Sequence, residues 1–191
     1  MKKIIEQRFK EHIAVSSKSL IECQDQIIKV SNLLIDVLKS GKKILICGNC
    51  GSAADSQHFA TELVISFSKN KTRDGIPAIA LTTDTSVITA YSNDFGFEGI
   101  FARQVNALGA PGDCLIVLST SGNSKNCIKA VEEAKVKGLR TVALLGDSGL
   151  LRNLADQVIS VPSSNTQNIQ EMHILIYHIL SELVEEELVK N

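Results

Sequence analysis

The stretch QEMHILIYH, Gln170 to His178, sets a glutamine, a glutamate and two histidines among Met, Ile, Leu and Tyr. Polar side chains in such surroundings are costly unless each finds a partner, so they are candidates for chemistry. A second group lies in CGNCGSAADSQHFATE, where His58 and Glu62 are four residues apart. On a helix this spacing places them on one face about 6 Å apart, suited to holding a metal ion or to an acid–base pair. A solvated helix face is the plainer explanation. The presence of Asp55, His58 and Glu62 just beyond a glycine turn favours a site. A third group is STSGNSKN, in which Ser119, Thr120, Ser121 and Ser124 surround Gly122. Hydroxyls, backbone amides and a helix start together make a phosphate cradle that needs no lysine, and four hydroxyls exceed what capping requires.

The elements that position these groups follow from the apolar pattern. Two amphipathic helices are expected over 3–20 and 22–40, the second ended by Gly41. Five short apolar runs follow: KILIC (43–47), PAIAL (77–81), DCLIVLS (113–119), RTVALLG (140–146) and QVISVP (157–162). They are continuous rather than alternating, as in strands covered on both faces, and helical segments separate them. The expected fold is α/β: a three-layer open sheet of about five parallel strands with helices on both faces, plus an N-terminal helical extension. It is one domain over 1–191, with the extension at 1–40 and the α/β core at 41–191. Ligands of such sheets bind beyond the carboxyl ends of the strands.

Three of the loops there carry polar residues. CGNCGS gives a flexible turn through Gly48, Gly51 and Ser52, but neither a Walker loop nor G-x-G-x-x-G, which disfavours a nucleotide. Asn93, Asp94 and Gly96 in SNDFGF read as a turn, with polyol binding as a second reading. STSGNSKN leads into a helix over 124–137. In the last helix, about 165–188, Ile169, Met172, Ile176, Ile179, Leu180 and Leu183 form the core stripe, and His173 borders it as a core histidine. Gln170 and His178 lie on a neighbouring face about 12 Å apart along the axis, so they share a ligand only by reaching toward each other, or else serve different sites. The helix is apolar nearly all round near His178, which implies a second buried contact such as another subunit.

Composition narrows the classes. The chain has 191 residues, 44% of them hydrophobic and 21% charged, with a net charge of −1, which gives no general attraction to nucleic acid or an anionic membrane. No apolar run approaches the ~20 residues of a membrane span, and MKKIIEQRFKEH lacks a signal-peptide core, so a cytoplasmic protein is expected. The five cysteines suit reduced, mostly buried thiols; Cys47 and Cys50 form a C-x-x-C that reads as a redox pair or half a zinc site, with no second pair to complete the latter.

CGNCGSAADSQHFATEL, SNDFGFE, STSGNS and IQEMHILIYHIL, in that order, resemble the phosphoheptose isomerases of the sugar-isomerase (SIS) fold, over nearly the whole chain. STSGNS marks only the broader phosphosugar-binding fold; H-x-x-x-E after the glycine turn together with Q-x7-H in the last helix is more specific. The resemblance implies a flavodoxin-like SIS domain and a homotetramer. It implies interconversion of sedoheptulose 7-phosphate and D-glycero-D-manno-heptose 7-phosphate through an enediol, the entry to heptose for lipopolysaccharide or another surface polysaccharide. By the same resemblance Glu62 and His178 are the acid–base pair, and one zinc per subunit is held by His58, Glu62, Gln170 and His178. Ser119, Thr120, Ser121 and Ser124 hold the phosphate, while Asn49, Cys50, Gly51, Ser52, Glu62, Asn93, Asp94 and Gln170 line the sugar site. Cys50 stands where the family usually has glycine, and Asn168 where many relatives have arginine. Rival readings are a non-catalytic relative that binds a partner protein, a sugar-phosphate sensor of a transcription regulator, and a redox protein resting on CGNC. Retention of Glu62 and His178 and the absence of a basic DNA-binding region favour the enzyme.

Overall fold

The computed structural model describes residues 1–68 and 73–189. The five apolar runs form five parallel strands: β1 (Ile44–Gly48), β2 (Ala78–Ala80), β3 (Cys114–Ser119), β4 (Arg140–Leu145) and β5 (Gln157–Ser160). Their order is β2-β1-β3-β4-β5. β1 and β3 are buried throughout, and successive residues serve two cores: Ile44 and Ile46 point to one, Leu45 and Cys47 to the other. A strand covered on both faces has no polar position, hence the unbroken apolar runs. β2 departs from this expectation. It is an edge strand of three residues, and Ile79 remains 38% exposed.

Helices α1 (Lys2–Lys39), α2 (Gly51–Val64) and α7 (Thr166–Val189) cover one face. α4 (Ile100–Leu108), α5 (Lys125–Val136) and the short α6 (Leu151–Leu154) cover the other, where α3 (Thr85–Phe95) joins them through Ile88 and Tyr91. The two N-terminal helices expected from the sequence are one helix. Its 38 residues contain neither Gly nor Pro, so nothing breaks it before Gly41, at φ +72°. It is about 57 Å long. Cys23, Val30, Leu33, Leu34 and Val37 bury its second half, whereas Ile4, Ile5, Phe9 and Ile13 of the first half are exposed.

Two further expectations are corrected. Asn93 and Asp94 do not form a turn: they close the last turn of α3, and the turn begins only at Gly96, φ +92°. The buried face of α7 is also rotated from the expected stripe. Ile169, Met172, Ile176 and Leu180 are buried as anticipated, but Leu183 is exposed and Ile179 half-buried, while Tyr177 and Val184 are in the core. The reason is that α7 packs against both α1 and α2, so no single apolar stripe describes it.

His173 lies within the core rather than at its border, fully buried. Its Nε2 meets the Leu145 carbonyl oxygen at 3.3 Å and its Nδ1 has no partner. Burial pushes its pKa from 6.5 down to about 4, with the Leu145 carbonyl opposing the shift. The unfolded chain therefore takes up a proton that the folded chain refuses. Stability is full above pH 6.5 and falls as the pH drops toward 4, by about 2 kcal/mol between pH 6.5 and 5. Denaturant unfolding at pH 7 and pH 5 should show this loss, and His173→Leu should abolish most of it. An equal loss in the variant would assign the acid sensitivity to other groups.

Candidate active site

The strand order reverses between β1 and β3, so the loops leaving their carboxyl ends diverge and leave a crevice. A cavity of about 290 Å³ occupies it. Asn49, Cys50, Gly51 and Ser52 line it from the β1 loop, and Leu118, Ser119, Thr120 and Ser124 from the β3 loop. Thr166 and Gln170 close it from the start of α7. The β1 loop is tied to the first turn of α5 by reciprocal amide bonds, Asn49 Nδ2 to Asn126 Oδ1 at 2.9 Å and Asn126 Nδ2 to Asn49 Oδ1 at 2.8 Å.

Of the three helices that begin at this cavity, α7 is capped by Asn165, whose Oδ1 accepts from the Gln167 and Asn168 amides at 3.0 and 3.1 Å, whereas α2 and α5 have no such cap. Neither Cys50 before α2 nor Ser124 before α5 bonds the first-turn amides of its helix. The Ser124 hydroxyl instead meets that of Ser119 at 3.2 Å. An ordinary serine cap is thus excluded at Ser124; the Cys127 amide donates to Asn126 Oδ1 at 2.9 Å, and the hydroxyls together with the preceding amides of the helix start suit an anion. Ser121 behaves differently: it is exposed, accepts from the Asn123 amide at 3.2 Å, and is not part of the cavity lining. Gly122 holds φ +64° with Gly149 Cα only 2.9 Å from where a Cβ would sit, so the serine turn requires glycine there.

A second group adjoins. His58 Nε2 lies 2.9 Å from Glu62 Oε1 on α2, as their spacing predicts, and donor atoms of His58, Glu62 and His178 all lie within 4.8 Å of one another. The carboxylate and imidazole from distant parts of the chain therefore meet. Tyr177, which sequence reasoning missed, orders this group. Its hydroxyl is 2.9 Å from His58 Nδ1, its ring stacks on Phe59 with centroids 5.2 Å apart, and it meets the His178 ring edge-on at 4.9 Å. Burial, then the negative charges of Asp55 and Glu62, push the Tyr177 pKa up, so the phenol keeps its proton. Its signal in the sequence was only that a buried tyrosine hydroxyl beside a histidine needs a partner.

The fourth expected metal ligand, Gln170, has another partner. Its Nε2 donates to Asp55 Oδ2 at 3.1 Å, and the side chain lies over Gly51 in the cavity. Asp55 is 5% exposed; burial raises its pKa, opposed by the Gln170 hydrogen bond and the charge of His58. Asn93 and Asp94 are exposed, bonded to each other at 2.8 Å, and absent from the cavity lining. The C-x-x-C is no redox pair in this geometry. Cys47 is fully buried, and burial together with Cys127 pushes its thiol well above the ordinary range; Cys50 is exposed, and both are free. Cys50 is the single non-glycine residue of positive φ, +51°, among the described residues, a strain typical of ligand sites.

A sequence profile for the SIS domain matches residues 8–146. A phosphoheptose isomerase of Nitratiruptor sp. is 51% identical over 183 residues, covering 95% of this chain and 97% of that one. The chain belongs to the phosphoheptose isomerase family. Solved structures agree. A phosphoheptose isomerase from Francisella tularensis superposes with a TM-score of 0.93 at 39% identity, over 96% of this chain and 97% of that one. Another, from Neisseria gonorrhoeae, gives 0.90 at 37%, over 97% and 98%.

Within this family member, Gly51 and Gln170 are coupled by contact: a Cβ at position 51 would sit 2.3 Å from Gln170 Nε2. Because a flexible side chain can move aside, Gly51→Ala should fold normally but displace Gln170 from Asp55, lowering kcat/KM about tenfold. In a Gln170→Ala background the same substitution should cost little, a non-additivity that a double-mutant cycle on kcat/KM measures.

Proposed function

We propose that the chain isomerises sedoheptulose 7-phosphate to D-glycero-D-manno-heptose 7-phosphate, an aldose–ketose isomerisation that supplies heptose. The observation that carries the reading is the meeting of Glu62 and His178, within 4.8 Å together with His58, on the two helices, α2 and α7, whose starts line a cavity suited to an anion. The reaction shifts one proton between C1 and C2 and another between their oxygens. Glu62 takes the proton from C1 of the ketose while His178 protonates the C2 oxygen, giving the enediol. Glu62 then returns its proton to C2, and His178 removes the O1 proton as the C1 aldehyde forms. A carboxylate and an imidazole suit these transfers. The amides at the starts of α2 and α5, with Ser119, Thr120 and Ser124, hold the phosphate, and Asn49, Ser52 and Gln170 orient the chain of hydroxyls.

Turnover of sedoheptulose 7-phosphate, followed by NMR of the sugar carbons, tests this directly. Glu62→Gln should lower kcat by about 10²–10⁴ with the fold intact; near-normal turnover in that variant would remove Glu62 from the mechanism.

A zinc ion, one per chain, is part of the proposal. Two imidazoles and a carboxylate within 4.8 Å are a common donor set for this ion, and the Tyr177 hydroxyl at His58 Nδ1 orients that imidazole so that Nε2 faces the other donors. His58, Glu62 and His178 would hold the ion. The amide of Gln170, a poor donor already bonded to Asp55, would be at most a fourth ligand. Bound there, zinc supplies Lewis-acid stabilisation of negative charge on the carbonyl oxygen. Elemental analysis of protein purified without chelator should find about one zinc per chain, reduced in His58→Ala; a substoichiometric trace in the unmodified protein would exclude it.

The assembly we propose is a homotetramer. Supporting it are the family resemblance, the exposed Ile4, Ile5, Phe9 and Ile13 of α1, and an apolar groove between α1 and α7 that includes Leu20, Ile28, Leu175 and Leu183. A cytoplasmic location is supported by five free cysteines, four of them buried. Among the described residues no helix is long and apolar enough to cross a membrane. Lipopolysaccharide or another surface polysaccharide as the destination of the heptose rests on the resemblance alone.

A further inference from the structure

A carboxylate outside the chemistry is the most heavily hydrogen-bonded acid near the site. Glu185, on α7 two turns beyond His178, is 1% exposed. It accepts from the Ser66 hydroxyl at 3.1 Å, the Phe67 amide at 3.1 Å, the Ser68 amide at 2.9 Å and Arg73 Nε at 2.8 Å. The Arg73 guanidinium, itself 7% exposed, uses Nη2 to reach the backbone oxygen of Glu62 at 3.0 Å. That oxygen belongs to the last turn of α2, where carbonyls lack helical partners. Phe67, fixed through its amide, sets its ring 5.9 Å from the His178 ring. One buried ion pair thus grips the backbone of the base and the wall behind the acid.

Stability alone does not explain this arrangement. Taking two charges out of water is expensive, and an apolar pair of similar volume is often as stable. Two charges held by several directed bonds do what an apolar pair cannot: they fix position. Misplacement of reacting groups by about 1 Å can cost 10²-fold in rate.

We infer that Glu185 and Arg73 are positioning residues for the isomerisation, a clasp that holds the end of α2 and Phe67 so that Glu62 and His178 stay in register. The inference rests on the acid–base reading of that pair. Arg73→Lys keeps the charge beside Glu185 but cannot also reach the Glu62 carbonyl. It should lower kcat 10- to 100-fold while KM and inhibition by inorganic phosphate change less than twofold. Glu185→Asp, which keeps the charge but draws the carboxylate back, should behave alike. Val184→Ala loosens the same helix without touching the clasp and should leave kcat within twofold. Wild-type kcat in both clasp variants, or an equal fall in Val184→Ala, overturns the inference. The carbon-bound proton signals of the His178 ring give a readout independent of turnover: Arg73→Lys should shift them through the displaced Phe67 ring, and unmoved signals overturn the inference as well. If the unmodified protein does not turn over the heptulose phosphate while the His178 signals move, the proposed activity fails and the clasp stands.

Discussion

The hydrogen bond of 2.9 Å between Tyr177 and His58 joins two helices whose alignment decides everything near the site. Along α2 and α7 the contacts keep one register. Gln170 lies against Gly51 and Asp55 at the start of α2, Tyr177 and His178 against His58 and Glu62 further on, and Glu185 against Ser66, Phe67 and Ser68 just past its end. The two helices therefore run in the same direction. Tyr177, fully buried and stacked on Phe59, locks that register midway, because sliding by one turn would leave its hydroxyl without a partner in the core.

Parallel alignment has an electrostatic consequence. The starts of α2 and α7 point the same way and reach one cavity, where α5 also begins. Each helix start carries roughly half a positive charge, although the first amides of α7 are already bonded to Asn165. Among the described residues no lysine or arginine lines the cavity, and none is needed for a phosphate. His58 and Glu62 stand about two and three turns along α2 from its start at the cavity. The fold thus separates the cavity from the His58, Glu62 and His178 group by a distance set by helix geometry.

Much of this was legible in the residues. The five strands followed from unbroken apolar runs because three of them, β1, β3 and β4, lie inside the sheet; the edge strands β2 and β5, with Ile79 exposed and Val158 half-buried, showed that an apolar run does not report which face is covered. His58 with Glu62, and the serine loop, followed from spacing because both groups are local in sequence. Less legible were features decided by packing between distant segments. The division of α1 at residue 21 had no breaker to support it. The polar pair Asn93 and Asp94 resembled a turn, but the N-cap Asp84, accepting from the Val87 amide at 2.9 Å, starts a helix that runs through them to Phe95. Cys50 before α2 could be read as redox chemistry only until the burial of Cys47 was known.

The polar residues of QEMHILIYH show why hydrophobic spacing alone misplaced the face of α7. Gln170, Tyr177, His178, Ser181 and Glu185 recur at intervals close to seven and four, a helical stripe in its own right, turned toward α2. Because several of these side chains are buried, the stripe competes with the apolar one for the core, and a count of apolar residues sees only gaps. Each member has a different local solution: Asp55 for Gln170, His58 for Tyr177, the Tyr177 carbonyl for the Ser181 hydroxyl at 2.8 Å, and Arg73 with two amides for Glu185. Glu171, off the stripe, turns to His12 of α1 at 2.7 Å. A buried polar stripe is tolerated only when the facing element supplies partners in the same register. Here α2 and the segment after it do so, and the same complementarity that makes the stripe affordable in the core brings Glu62 and His178 together.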